Sequence, residues 1–189
     1  AQGLFHKAIA MSGAALASTP AATATDTAER VLAALGIAKN NLQELHQVPM
    51  QRLLDVSLNT PGLGFSPVLD GSNIPGNPFT PGAPAMSANI PLLMGTTEHE
   101  ANFFPTTPLQ PMDEATVLEE IKSNLNANDK RAGELLALYR AGRPERSNVE
   151  LLQIMISDHG LRNGVITQAE RKADQKAAPI YMYYFTWQS

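Results

Sequence analysis

The chain has 189 residues, 43% of them apolar and 17% charged, with a formal net charge of -4. That length suits one ordinary domain with a real core, and the acidic balance leaves no electrostatic footprint for nucleic acid. No apolar run approaches the roughly 20 residues that a bilayer-spanning helix needs, and the lack of cysteine excludes thiol catalysis, disulfides and thiolate metal sites. No signal-peptide pattern opens the chain, and its start at Ala1 reads as that of a processed or excised piece of something longer.

Ala8–Met11 reads as the end of a strand, stopped by Ser12-Gly13. Ser18–Thr25 is small and polar, a loop. Asp26-Thr27-Ala28-Glu29 has the form of a capping box and predicts a helix from there. Val31, Leu32 and Leu35 share its inner face and Gly36 closes it. Pro49 opens a second short helix carrying Leu53, Leu54 and Leu58. The stretch from 59 to 90 holds six prolines, which forbid a long helix. It is expected to be extended and turn-rich, with a turn at Asp70-Gly71 and anchors at Phe65, Val68, Leu69, Ile74 and Phe79.

Pro91–Gly95 predicts a buried strand that breaks at its glycine. A helical stretch from about 113 to 177 follows, with Asp113, Asn128 and Asn148 as successive caps. Its last helix, roughly 161–176, is expected to turn Val165, Ile166, Ala169 and Ala173 inward. Ile180–Trp187 (IYMYYFTW) is rich in β formers and reads as a final strand. Strands separated by helices imply an α/β protein with a mostly parallel sheet and helical crossovers. Ligands in such sheets sit beyond the carboxyl ends of the strands. Glu100 falls there, in the stretch PLLMGTTEHEANFF.

On this stretch alone the favoured reading of Glu100 is a solvated loop glutamate, helped by Glu98. Glu98, His99 and Glu100 adjoin, but adjacent side chains point different ways and no His-x-x-x-His accompanies them. A metal site is therefore disfavoured. Ser12, His159 and Glu100 supply the residue types of a nucleophile, base and acid. Ser12 lacks the flanking glycines of a Gly-x-Ser-x-Gly elbow, however, and that pentapeptide occurs nowhere in the chain. His159 is expected to be a packed or capping histidine, and His6 and His46 surface residues.

Four blocks in order carry a resemblance: GLFHKAIAMSG, FSPVLDG with IPGNPF behind it, PLLMGTTEHEANFF, and Asp158 leading into APIYMYYFTW. Together they resemble the second half of a type B carboxylesterase, the α/β-hydrolase group that includes the cholinesterases. The resemblance implies a single incomplete α/β-hydrolase segment over 1–189. It makes Glu100 the acid of a Ser-His-Glu triad, with His99 and Ala101 standing where the family has aspartate and glycine. Ser12 matches a supporting position beside that acid. Leu63, Phe65, Phe103 and Phe104 match positions lining the substrate pocket. The nucleophile would precede Ala1 and the histidine would follow Ser189.

On this resemblance the parent is a serine esterase acting on a small-molecule carboxylic ester without a cofactor, and the segment alone is inactive. Its expected partner is the missing half of the fold, or a second copy of itself. A noncatalytic cholinesterase-like binding or adhesion protein, and an independent small α/β domain, are the alternatives.

Overall fold

The computed structural model describes residues 3–13, 15–103 and 107–187. In chain order they form β1 (Ala8–Met11), β2 (Thr19–Pro20), α1 (Ala21–Leu35), α2 (Met50–Asn59), β3 (Val68–Leu69), β4 (Leu92–Thr97), α3 (Glu114–Leu125), α4 (Asp129–Gly142), α5 (Asn148–Ser157), α6 (Asn163–Ala173) and β5 (Ile180–Phe185). Single 3-10 turns lie at Leu42–Gln47, Ala85–Ser87 and Glu100–Phe103, and a π-helical turn at Asp158–Arg162 joins α5 to α6. These elements fall into two units, Ala1–Ala15 with Gly82–Ser189, and Leu16–Pro81.

The first unit is built on a parallel sheet ordered β1-β4-β5. Ala10, Met94 and Met182 stand side by side across it. Met94 packs with Val165 and Ala169 of α6, joined by Ala10, Leu92 and Ile180, so α6 covers one face. On the other face Ile9 and Met11 are 67% and 75% exposed. The glycine expected to end the middle strand lies inside it. A Cβ at Gly95 would meet the Tyr183 carbonyl oxygen at 2.2 Å, so only glycine lets β5 pair at this point.

Val117, Ile121, Ala132, Leu136, Leu151, Leu152 and Met155 form a second core, among α3, α4 and α5. Asp113 and Asn128 cap α3 and α4 as expected, each accepting from a backbone N–H. The cap of α5 is Ser147 and not Asn148. Ser147 and Glu150 bond reciprocally, which holds the Glu150 carboxyl down at about 2 through the Ser147 hydroxyl and N–H, and then Arg146.

Two further expectations about helices are corrected. The helix expected from Asp26 starts five residues earlier, at Ala21, with Pro20 as N-cap and no side-chain cap bond. Alanines at 21, 22 and 24 are strong helix formers, and their propensity extends the helix through what reads as loop. Asp26 instead faces Arg30 one turn on. In α6, Val165 and Ala169 are buried, but Ile166 and Ala173 are exposed. Gln168 and Lys172 take the inward positions. The Lys172 ammonium donates to the carbonyls of Ser87 and Ala88 and to Gln175 Oε1, and burial lowers its pKa.

The second unit packs α1 with α2 and pairs β2 with β3 in parallel, a ladder not anticipated from the sequence. Its Asp70 turn is as expected. The carboxylate accepts from the N–H groups of Ile74 and Ser72 and from Asn73, which brings its pKa down to about 2.

Substituting Gly95 by alanine should destabilise the chain by about 1–3 kcal/mol or more through overpacking against Tyr183. Gly133→Ala, at a helical glycine whose added Cβ meets nothing within 4 Å, should raise stability by up to about 1 kcal/mol. Thermal melts of the two variants should move in opposite directions, and a Gly95→Ala melt matching wild type would contradict the close approach.

Candidate active site

Parallel strands leave their sheet at one edge, so the residues following β1, β4 and β5 gather there. At the end of β1 the chain turns into the left-handed region at Ser12 (φ 62). The Ser12 N–H donates to the Gly95 carbonyl at 3.0 Å, which continues the ladder by one bond. This conformation sends the hydroxyl across to the loop after β4. Ser12 Oγ donates to Glu100 Oε1 at 2.6 Å.

The same oxygen accepts from the Thr97 N–H at 2.6 Å, so the Glu100 carboxylate folds back over the end of its own strand. Its other oxygen, Oε2, has no hydrogen-bond partner among the described residues. Glu100 is half-buried.

Glu100 opens the 3-10 turn Glu100–Phe103, and α5 supports that turn from below. Ala101 is 2% exposed, and its N–H donates to Ser157 Oγ at 2.9 Å while its carbonyl accepts from Thr107. Asn102 Nδ2 donates to Gln153 Oε1 at 3.2 Å. Among the described residues, the non-glycine ones at positive φ are Ser12, Asn126 and Lys176. Ala101 is not one of them, so alanine stands at this position without backbone strain.

Glu98, two residues before Glu100, is only 9% exposed. Its carboxylate meets Arg146 at 3.0 Å, His99 at 3.4 Å and Arg143 at 4.0 Å. A second group of charges lies at the π turn. Arg162 pairs with Asp158, stacks 3.9 Å from the Tyr184 ring centre and donates to the Tyr184 hydroxyl at 2.6 Å. Asp158 also accepts from the Tyr139 hydroxyl at 2.6 Å. Burial, and then this bond to Asp158, push the Tyr139 phenol well above its ordinary pKa.

The sequence-derived candidates therefore divide. Ser12 and Glu100 are in direct contact. Phe103 is 89% exposed, three residues past Glu100, and Phe104 lies outside the described residues. Leu63 is half-buried and Phe65 exposed, both in the second unit. His159 is exposed instead of packed. It lines a cleft of about 690 Å³ with Arg131, Tyr139, Asp158 and Arg162, among others, and neither Ser12 nor Glu100 lines that cleft. His6 and His46 are exposed, as expected. The burial of Glu98 and the support from Ser157 went unforeseen. A carboxylate in a polar tripeptide reads as solvated, and its arginines lie more than forty residues away.

A sequence profile described as "Carboxylesterase family" matches residues 1–189. Para-nitrobenzyl esterase of Bacillus subtilis is 31% identical over 195 residues, covering 99% of this chain and 38% of that protein. Carboxylesterase 1C of Rattus norvegicus is 26% identical, over 99% of this chain and 37% of its own length.

Among solved structures, the Geobacillus stearothermophilus carboxylesterase EST55 at pH 6.2 superposes with a TM-score of 0.71 at 25% identity, over 99% of this chain and 39% of its own. A PNB esterase gives 0.66 at 29%, over 100% and 40%. The chain spans about two fifths of these relatives, and its parallel sheet with helical crossovers is a partial α/β-hydrolase fold. By the match along its whole length, the chain belongs to the carboxylesterase family.

Proposed function

We propose that residues 1–189 form one incomplete α/β-hydrolase segment of a serine carboxylesterase, and that Glu100 is the acid of its Ser-His-Glu triad. The observation that carries this reading is the division of labour within one carboxylate. Oε1 is tied to Ser12 and Thr97, while Oε2 has no partner among the described residues, at the edge where the strands end. Two bonds on one oxygen fix the plane of the group. The second oxygen is then left to accept the N–H of an imidazole.

In such a triad the imidazole takes the proton of the serine hydroxyl as the oxygen attacks the ester carbonyl. The carboxylate fixes the imidazole tautomer and stabilises its cationic form without itself becoming protonated. The serine and histidine come from outside this segment on this reading. On this reading Phe103, three residues past the triad acid, contributes to binding the uncharged acyl or alcohol part of the ester. No cofactor or metal takes part.

In the whole enzyme, Glu100→Gln should lower kcat about 10⁴-fold. A drop of only a few fold, in protein still labelled by an organophosphate, would show that another residue orients the base. Failure of the organophosphate to label the wild type would favour a noncatalytic member of the family.

Ser12→Ala removes a charge-assisted hydrogen bond and should cost about 1.5–3 kcal/mol in urea unfolding. Ser12→Gly should be milder by about 1 kcal/mol, because glycine relieves the left-handed backbone.

The outer edges of β1 and β5 carry no partner strand among the described residues, and Ile9 and Met11 are exposed. Unpaired edges of this kind invite association. Residues 1–189 alone should therefore self-associate or require the rest of the fold, and should hydrolyse no ester. Sedimentation as a clean monomer with cooperative unfolding would overturn the first expectation, and turnover above background the second.

A further inference from the structure

We propose that Glu98 is a positioning residue for Glu100: clamped by Arg146 and Arg143, it fixes the turn from which the triad acid projects. The proposal rests on the reading of Glu100 given above and goes beyond it, because Glu98 and its arginines need touch neither substrate nor histidine.

The geometry starts with the backbone. The Glu98 N–H donates to the Phe185 carbonyl at 3.0 Å, the last link between β4 and the end of β5. Beyond it the chain must reverse within two residues to bring the Glu100 carboxylate back onto the Thr97 N–H. Nothing in the sheet ladder dictates that reversal. Side chains hold it from two directions. From one, Arg146 Nη2 meets Glu98 Oε2 at 3.0 Å, and its other terminal nitrogen, Nη1, donates to Glu150 Oε1 at 2.9 Å. Glu150 is itself fixed by the cap of α5, so the arginine spans from that helix end to the loop. Arg143 Nε lies 4.0 Å from Glu98 Oε1, and its guanidinium sits over the Tyr139 ring. From the other direction, Arg162 extends from the π turn to the Glu98 carbonyl at 3.5 Å and to the Tyr184 hydroxyl at 2.6 Å, while paired with Asp158.

Burial makes this clamp directional. The Glu98 side chain is 11% exposed, so it cannot relax into water without opening the loop. A buried carboxylate is stable only where its charge is matched and its oxygens bonded. The arginines meet that requirement only when the turn has the shape observed. The sequence order Thr97-Glu98-His99-Glu100 then converts a fixed Glu98 into a fixed Glu100, with Ser12 as the last contact.

The test uses the whole enzyme, with active sites counted by stoichiometric organophosphate labelling so that the folded fraction cancels. Glu98→Gln should lower kcat per titrated site by about 10- to 100-fold, the scale of a small misplacement of a reacting group, with KM within about twofold of wild type. Its acid limb in the pH profile of kcat/KM should move to lower pH. A misaimed carboxylate stabilises the imidazolium less, so the base loses its proton more readily. A purely structural role would reduce the number of titrated sites and leave that limb in place.

Arg146→Ala should reproduce the effect, Arg146→Lys should recover part of it, and the Glu98→Gln, Arg146→Ala double variant should be no worse than the worse single. Should Glu98→Gln yield no soluble protein, Arg146→Lys and Arg143→Lys, which keep charge but lose the planar fork, read the same two quantities. Unchanged kcat per site and an unmoved acid limb, alongside the full loss in Glu100→Gln, would overturn the positioning role and leave the triad reading standing. A silent Glu100→Gln would remove both.

Discussion

Strand β4 is bonded in parallel on both sides, to β1 through Ala8–Met11 and to β5 through Ile180–Phe185. Parallel pairing forces all three chains to leave the sheet at the same edge, which is why residues 88 positions apart, Ser12 and Glu100, meet at 2.6 Å. Register follows from the side chains. A slip of one residue would turn Met94 away from Val165 and Ala169 and would set a residue other than Gly95 against Tyr183. The glycine thus fixes the alignment of two strands and, through it, the height at which Glu100 emerges.

What lies past the ladder is governed by a different kind of force. Among the described residues of the loop after β4, Ala101 is the buried apolar one, and hydrogen bonds and ion pairs from α5 and from the π turn hold the loop. A π turn inserts a residue into the helical ladder and re-aims what it carries, which makes such turns frequent at functional sites. Here it lets Asp158 reach back to Tyr139 while Arg162 reaches forward to Tyr184 and Glu98, so one break in a helix ties α4, α6, β4 and β5 together.

The sheet was largely legible in the sequence. Short apolar runs bounded by Ser-Gly, proline and helix caps mark β1, β4 and β5, and the helices between them require parallel pairing. Asp113, Asn128 and Gly36 announce their helix ends because capping is a local matter of one side chain or one φ angle. The misses have a common cause. The start of α1, the inward Lys172 and the burial of Glu98 all depend on partners distant in sequence, or on summed propensities that no single residue advertises. Alanine at 101 is harmless for a reason visible only in space: the turn it occupies is 3-10, so the freedom of glycine is not used there.

Lys172 holds a related lesson. Its ammonium is enclosed between α6 and the turn before β4, surrounded by two carbonyls and an amide oxygen, and its residue is 2% exposed. An amine in that position is chemically silent as long as the helix lies on the sheet. Acylating reagents will reach the other lysines first, and modification at 172 will record only those molecules in which α6 has lifted. The chain therefore carries its own reporter of how firmly α6 lies on the sheet.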